Sequence, residues 1–319
     1  MIPYTWIEQA SERIHPYIHK TPLTYDAGHQ IYLKWENHQA TGSFKARGAL
    51  NKILALQDWK IMQGLVTASA GNHGQGVALA AKLRQASVTI FASNHALPNK
   101  VRAMQALGAK VHLVEGGYGE AEKAGIEYAR ESRATWVSPY NDGMIIAGQG
   151  TLAIEILQEH LDPSPLTWLV PAGGGGLVSG IGCVLQMQQP ATNLVAVQSV
   201  ASPFLYEIYH HNTQKGVDEL PSLADGLAGP VEEGSVTIPI VKNVVTDFIL
   251  VTEAEIRDAI NYAWNTYHER IEGSGAASLA AVLSQKVSSR PALVVITGGN
   301  IEPDDFTKII YESGSVRME

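Results

Sequence analysis

The sequence predicts an α/β protein with two open parallel-sheet lobes and a cleft between them. Short apolar strands alternate with helix-like stretches along the chain. These strands show no polar alternation, as expected when helices cover both faces of a parallel sheet. The alternation pauses near residue 143 and then restarts. We therefore assign residues 1–50 and 144–319 to a large lobe and residues 51–143 to a small lobe.

The predicted strands and helices alternate along both lobes. In the small lobe, the strands are predicted at 64–69, 86–93, 109–116 and 134–140, and the helices at 71–83, 98–108 and 118–132. In the large lobe, helices at 148–160 and 176–185 alternate with strands at 167–173 and 193–200, and a last buried strand begins at 292. The stretch 213–247 is rich in Gly, Pro and Asp, which predicts an irregular functional loop at the mouth of the cleft.

Composition limits the classes of partner. The chain has 319 residues, 45% of them hydrophobic and 17% charged, which is typical of a globular protein. Its net charge of −8 argues against nucleic acid or an anionic membrane as the main partner. The N-terminus lacks a signal-peptide pattern, and no run of about 18 apolar residues occurs. We expect a soluble, cytoplasmic protein.

The single cysteine, Cys183, excludes an intramolecular disulfide framework and a cysteine-based zinc site. It lies in the apolar stretch "GLVSGIGCVLQM". A buried, packed thiol is the prediction there, rather than a reactive one.

One lysine has an unusual position. In "ENHQATGSFKARGA" (residues 36–49), Lys45 is predicted in the first turn of a helix, where the macrodipole and free N–H donors favour anions. Its apolar neighbour Phe44 offers no carboxylate. Both features push a lysine toward its neutral amine form, which is what a covalent catalytic lysine needs.

A glycine run follows one predicted strand. "PAGGGGL" places Gly173, Gly174, Gly175 and Gly176 at the start of a helix, where their N–H groups can hold a phosphate. The spacing matches neither the dinucleotide fingerprint nor a P-loop. A tight packing corner is the alternative, although four glycines carry a large entropic cost for that role alone. A phosphate site plus an isolated lysine in an α/β cleft indicates pyridoxal phosphate held as a Schiff base.

Two further motifs follow strands. "SAGNH" places Ser69, Ala70, Gly71, Asn72 and His73 at another strand-to-helix turn, where free N–H donors suit a carboxylate. Asn72 can cap this helix or bond a ligand hydroxyl, and a lone His73 is more often packed than catalytic. "ALVVITGGN" ends at Thr297, whose hydroxyl is either an ordinary strand end or a partner for a ring nitrogen.

With "IAGQGT" between them, these motifs resemble, in order and spacing, the fold-type II pyridoxal-phosphate enzymes, which are tryptophan synthase β-like. Within them the chain is similar to the threonine dehydratase and serine dehydratase–racemase group, over essentially its whole length. The resemblance implies that Lys45 is the Schiff-base and catalytic lysine. It further implies that the cofactor is contacted by Phe44, Asn72, Gly173, Gly174, Gly175, Gly176, Leu177 and Thr297. It also implies that the substrate carboxylate is held by Ser69, Ala70, Gly71, Asn72 and His73.

The reaction implied is α,β-elimination of a β-hydroxy-L-amino acid, L-threonine or L-serine, to a 2-oxo acid and ammonia. Lys45 would remove the α-proton as general base. A neutral partner such as Thr297 does not keep the ring nitrogen protonated, which favours elimination over transamination. The group also implies a homo-oligomer, a dimer or tetramer.

The chain departs from the group at several positions. Racemases carry a serine where this chain has Ala70, so we expect weak racemisation or none. Gln198 and Phe204 replace the Glu and Asp of a divalent-cation site, so no metal is expected. Ala40 replaces a nucleotide-contacting lysine.

Three alternatives stay open: a dehydratase of another hydroxyamino acid (phenylserine, hydroxyaspartate or an ectoine-pathway intermediate), a β-replacement synthase, and a non-catalytic metabolite-binding protein. The sequence also leaves two acidic residues undecided. Glu272 is either a helix cap or a cofactor neighbour, and Asp225 either orders the substrate loop or caps a turn.

Overall fold

The computed structural model describes residues 1–312 and has ten strands within them. In chain order these are β1 (Leu23–Asp26), β2 (Ile31–Trp35), β3 (Leu65–Ala68), β4 (Val88–Ser93), β5 (Lys110–Val114), β6 (Thr135–Trp136), β7 (Thr167–Pro171), β8 (Asn193–Ser199), β9 (Asp247–Val251) and β10 (Ala292–Ile296).

Thirteen α-helices lie in the same range: α1 (Tyr4–Ile14), α2 (Lys45–Leu54), α3 (Asp58–Met62), α4 (Asn72–Leu83), α5 (Pro98–Ala106), α6 (Tyr118–Ser132), α7 (Gly143–Leu157), α8 (Gly176–Gln188), α9 (Phe204–His211), α10 (Thr237–Val244), α11 (Glu253–Tyr267), α12 (Gly273–Leu283) and α13 (Pro303–Glu312). Short 3₁₀ turns occupy His15–Tyr17, Glu36–His38 and Asp225–Leu227. Among these described helices, none has both the length and the apolar content that crossing a bilayer requires.

The strands form two sheets. One has six strands in the order β1-β2-β10-β7-β8-β9, and the other has four in the order β5-β4-β3-β6. Neighbouring strands are parallel throughout, except for the antiparallel pair β1–β2 at one edge, where Leu23 is paired with Lys34. The predicted parallel sheets are thus confirmed. This edge hairpin is an addition to them, closed by a short turn in which Gln30 has a φ of 55°.

Sheet membership follows the predicted lobes. The four-stranded sheet contains strands between residues 65 and 136, and the six-stranded sheet takes strands from both sides of that segment. Helix α2 packs against both α4 and α7, so it lies where the two parts meet. The lobe bounds at residues 50 and 143 stay a prediction.

The core has the character that a covered parallel sheet requires. Every residue of β7 and of β10 is buried, since helices pack on both faces. Cys183 is buried in the core of the large sheet, which confirms the packed thiol.

Some predicted bounds were wrong. Helix α7 begins at Gly143, five residues before its predicted start, because the Asp142 side chain caps it by accepting from the N–H groups of Met144 and Ile145. Strand β6 has only two residues. The stretch 213–247 is not irregular throughout, since it contains α10.

Four helices touch through their backbones at glycines. A Cβ on Gly76 of α4 would lie 3.1 Å from the Lys45 carbonyl oxygen of α2. On Gly148 of α7 it would lie 2.6 Å from the Arg47 carbonyl oxygen, and on Gly180 of α8 it would lie 2.5 Å from the Ile146 carbonyl oxygen. No side chain fits at the last two distances, so α4, α2, α7 and α8 are held closer than side chains would allow.

Candidate active site

One cavity collects the residues predicted for the site. Its volume is about 530 Å³, and it is lined from both sheets and from the segment 219–230. All the predicted site residues line it: Phe44, Lys45, Ser69, Ala70, Gly71, Asn72, His73, Gly173, Gly174, Gly175, Gly176, Leu177 and Thr297. The structure therefore brings together every residue that the sequence selected, and the individual roles stay predictions.

Lys45 is the first residue of α2 and is enclosed by the cavity walls. Its Nζ donates to the Pro139 carbonyl oxygen at 3.1 Å and lies 5.3 Å from the centre of the Phe44 ring. Burial lowers its pKa to about 8, and the Glu272 carboxylate opposes this shift only in part. The predicted shift toward the neutral amine is confirmed, with burial as its main cause.

The glycine run forms a cradle at the start of α8. Gly175 has a φ of +85°, and the backbone N–H groups of Gly174, Gly175, Gly176 and Leu177 have no acceptor within residues 1–312. The Thr237 hydroxyl donates to the Gly174 carbonyl oxygen at 2.8 Å. Free amides at a helix N-terminus fit a phosphate group.

This cradle has no room for side chains. A Cβ on Gly174 would lie 2.4 Å from the Tyr140 ring, and one on Gly173 would lie 3.1 Å from Leu227 Cα. Tyr140 itself is tied across the cavity edge, because its hydroxyl accepts from the Glu232 N–H at 2.8 Å. Sequence reasoning missed Tyr140; the only signal was an aromatic residue in the turn "SPYND" after a strand.

The turn from Ser69 to His73 leads into α4. Ser69 Oγ accepts from the Gly71 N–H at 3.1 Å, which shapes the turn. The N–H groups of Asn72, His73 and Gly74 have no acceptor within the described chain. Three free donors at one helix end fit a carboxylate.

The His73 ring is neutral and its tautomer is fixed. Its Nε2 lies 3.1 Å from the Val137 carbonyl oxygen, which can only accept, so the proton is on Nε2. Burial, with the nearby Lys45 charge, lowers its pKa to about 3. Nδ1 is a buried lone pair without a partner in residues 1–312. The ring has no free N–H for a carboxylate, so the predicted carboxylate contact falls to the backbone N–H of His73.

Glu272 connects several parts of the site. It is the residue before α12, and its side chain makes no capping hydrogen bond to that helix. Oε1 instead accepts from Asn72 Nδ2 at 2.6 Å, while Asn72 Oδ1 accepts from Asn300 at 2.7 Å. Burial, helped by the Asp225 charge, raises the pKa of Glu272 to about 7. Of the two roles left open, the side-chain helix cap is excluded and the position beside the site is found.

The remaining predicted residue, Thr297, follows β10. Its carbonyl oxygen accepts from the Phe44 N–H at 3.0 Å, which ties the strand end to the segment before Lys45. Its hydroxyl makes no hydrogen bond within the described residues and lines the cavity, so it is free for a ligand.

A second lysine in the cavity was missed. Lys100, on α5, donates from Nζ to Asp225 Oδ2 at 3.0 Å. Asp225 begins the 3₁₀ turn at the cavity mouth, so its side chain joins α5 to the segment predicted as a functional loop. The only sequence signal was a lysine in the first turn of a helix.

Gln198 and Phe204, which replace the acidic residues of the related cation site, make contacts within the protein. Gln198 Oε1 accepts from the Tyr206 N–H at 3.1 Å, and Phe204 is a buried apolar residue at the start of α9. Within residues 1–312, no group of three His, Cys, Asp or Glu side chains is placed to bind a metal.

An enclosed lysine with a lowered pKa, a glycine cradle with free amides and a second cluster of free amides define a class: a fold-type II pyridoxal-phosphate enzyme. The model of the family described as "Pyridoxal-phosphate dependent enzyme" matches residues 10–298. The chain belongs to this family, and pyridoxal phosphate is its cofactor.

Relatives agree with this class. The chain is 37% identical to the L-threonine ammonia-lyase of Thermotoga maritima, covering 97% of this chain and 78% of that one. It is 38% identical to the catabolic L-threonine dehydratase of Staphylococcus aureus, covering 93% and 88%. The structure of maize serine racemase aligns with a TM-score of 0.89 at 30% identity, over 98% of both chains.

Proposed function

We propose that this enzyme is an ammonia-lyase that dehydrates and deaminates a β-hydroxy-L-amino acid to a 2-oxo acid and ammonia, with L-threonine as the first substrate and L-serine as the second. The observation that carries this is the position of Lys45, which lies in one cavity with the two sets of free amides and whose lowered pKa suits a general base. The relatives named for L-threonine support the choice of substrate.

The cofactor's place follows from the free groups of the cavity. The amides of Gly173, Gly174, Gly175, Gly176 and Leu177 would hold its phosphate, and Lys45 would hold its aldehyde carbon covalently. Phe44 would pack beside its ring, Asn72 would bond its hydroxyl, and the Thr297 hydroxyl would be the partner of its ring nitrogen. When bound, pyridoxal phosphate withdraws electrons from the α-carbon of the substrate.

The protein's own groups supply the remaining functions. The N–H groups of Asn72 and His73, with Ser69, Ala70 and Gly71 around them, hold the substrate carboxylate. The neutral Nζ of Lys45, once released from the cofactor, would take the proton from the α-carbon of the substrate. Pro139 provides a carbonyl oxygen that orients this amine.

Two side chains direct the outcome. The Thr297 hydroxyl is uncharged, so it does not stabilise a protonated ring nitrogen, and loss of the β-hydroxyl is favoured over transamination. Ala70 offers no acid or base in the position where racemases have a serine, so a second proton donor is missing there. We therefore propose elimination rather than racemisation.

We also propose a homo-oligomer. Met1, Trp6 and Met187 are 58%, 42% and 66% exposed, respectively. Asn243 donates to Met1 Sδ and to Gln186 Oε1, so the start of the chain lies close to the end of α8. Exposed apolar side chains at this end of the protein are candidates for a subunit contact.

The visible spectrum of the purified protein tests the function. The spectrum is followed in one cuvette while L-threonine, L-serine and bulkier β-hydroxy amino acids are added. We expect a cofactor band that shifts and yields 2-oxo acid fastest with L-threonine. A shift without 2-oxo acid would indicate a β-replacement enzyme, and turnover only of bulkier substrates would indicate another dehydratase. A protein that takes up no pyridoxal phosphate would refute catalysis by this route.

A further inference from the structure

Lys100 places a positive charge beside the turn that leads into α4. A Cβ on Gly71 would lie 3.7 Å from Lys100 Cδ and 3.9 Å from its Nζ. The Lys100 side chain is 13% exposed, so its stem is packed against the cavity wall and its amine has little freedom. The ammonium group therefore lies beside Gly71, the residue directly before the free amides of Asn72 and His73.

Few positively charged side chains line the cavity. Among the described residues that line it, Lys45 and Lys100 are the only lysine or arginine side chains. Lys45 is taken up by the cofactor under the proposed function. Lys100 is then the one permanent positive charge left for an anionic group of the substrate.

The present partner of Lys100 is easily exchanged. The Asp225 side chain is 60% exposed, and ion pairs with an exposed member contribute little, about 0–1 kcal/mol. Glu272 also lies near Lys100. Burial would lower the pKa of Lys100, but Asp225 and Glu272 together raise it above its ordinary value, so the amine stays charged.

We propose that the Lys100 ammonium binds the α-carboxylate of the amino acid substrate, which displaces Asp225 from this lysine. This inference rests on the proposed function and adds to it a residue from α5 of the small lobe. Lys100 thus attracts the carboxylate by its charge, and the amides of α4 orient the carboxylate by hydrogen bonds.

A simpler role would be a tie between α5 and the 3₁₀ turn of Asp225. The two roles predict different effects on ligand binding when Asp225 is replaced. If the ion pair only ties these segments together, loss of either partner weakens ligand binding equally. If Lys100 binds the carboxylate, loss of Lys100 weakens binding, whereas loss of the competing Asp225 charge leaves it unchanged or strengthens it.

The test uses the holoenzyme and 3-hydroxybutyrate, a carboxylate that lacks the α-amine and so binds without reaction. Calorimetry gives Kd for the wild type, Lys100→Met, Asp225→Asn and the charge-matched control Lys123→Met, on an exposed site of α6. We expect Kd to rise about 10- to 100-fold in Lys100→Met. It should be unchanged in the control, and unchanged or up to about fivefold lower in Asp225→Asn.

A neutral probe completes the test. Lys100→Met should bind 3-hydroxybutyramide as the wild type does, because this probe has no negative charge for Lys100 to recognise. Equal weakening in Lys100→Met and Asp225→Asn, no weakening in Lys100→Met, or no binding of 3-hydroxybutyrate by the wild type would each overturn the proposal. Since calorimetry needs no turnover, a wild type that binds the carboxylate but forms no 2-oxo acid would refute the proposed reaction and leave the Lys100 site standing.

Discussion

Arg47 donates from Nε and Nη2 to the two carboxylate oxygens of Glu36, each at 2.7 Å, and both side chains are fully buried. Nη2 also donates to Glu155 at 2.8 Å. Because Arg47 lies two residues after Lys45, this ion pair fixes the helix that carries Lys45.

Replacing Arg47 by Met should leave the Glu36 charge buried and unpaired. We expect the free energy of unfolding to fall by about 3–5 kcal/mol, measured by urea denaturation. The exposed ion pair of Lys20 with Glu159 is the control, and Lys20→Met should cost at most about 1 kcal/mol. Equal costs for the two variants would contradict the role given to Arg47.

Replacing Lys45 by Ala should abolish covalent cofactor attachment and the proposed base together. We expect the visible band of the bound cofactor to disappear and 2-oxo acid formation to fall by at least about 1000-fold. Lys123→Ala, on the surface of α6, should keep both. Appreciable turnover by Lys45→Ala would refute the assignment of this lysine.

The rate at which cofactor-free protein takes up pyridoxal phosphate should follow the neutral fraction of Lys45. With a pKa of about 8, this rate should rise with pH below that value and level off above it. Glu272→Gln removes a carboxylate that favours the charged amine, so it should move the rise to lower pH. Stopped-flow absorbance from pH 6 to 10 measures this, and a rise that continues to pH 10 would contradict the lowered pKa.

Replacing Gly174 by Ala should push the new methyl group into the Tyr140 ring, which lies 2.4 Å away. We expect a loss of about 1–3 kcal/mol in stability and weaker cofactor binding, followed by thermal unfolding and absorbance titration. Gly119→Ala is the matched control, because a Cβ there meets nothing within 4 Å. Unchanged cofactor affinity in Gly174→Ala would argue against the cradle.

Glu272 should make stability depend on pH. Its pKa is about 7 in the folded protein and 4.5 ordinarily, so the folded chain keeps a proton that the unfolded chain releases between these values. Stability therefore falls as pH rises through this window, and the cost is complete above about pH 7. Glu272→Gln should be more stable than the wild type at pH 8, by up to about 3 kcal/mol, with the difference shrinking toward pH 5. Thermal unfolding at both pH values decides this.

The sequence predicted those parts of the site that lie within one strand-to-helix turn. Lys45, the run from Gly173 and the turn from Ser69 each depend on local conformation, which short motifs specify. Lys100, Asp225 and Glu272 come from three distant segments, and their approach depends on how the two sheets pack. No local pattern contains that information.

Local sequence rules also explain why one helix was not predicted. Helix α10 contains Pro239, and the Gly- and Pro-rich surroundings indicated a loop. Proline is tolerated in the first turn of a helix, where its missing N–H has no partner to lose. Packing of α10 on α8 decides the structure there.

The glycine contacts among α4, α2, α7 and α8 limit how this enzyme can diverge. Three of these helices begin at the site, at Asn72, Lys45 and Gly176, and their mutual distances are fixed where backbone meets backbone. A substitution at such a contact would disturb Lys45 and the proposed sites of the carboxylate and the phosphate together. New substrate preferences would therefore arise through Lys100 of α5 and the segment 219–230, which line the same cavity outside this framework.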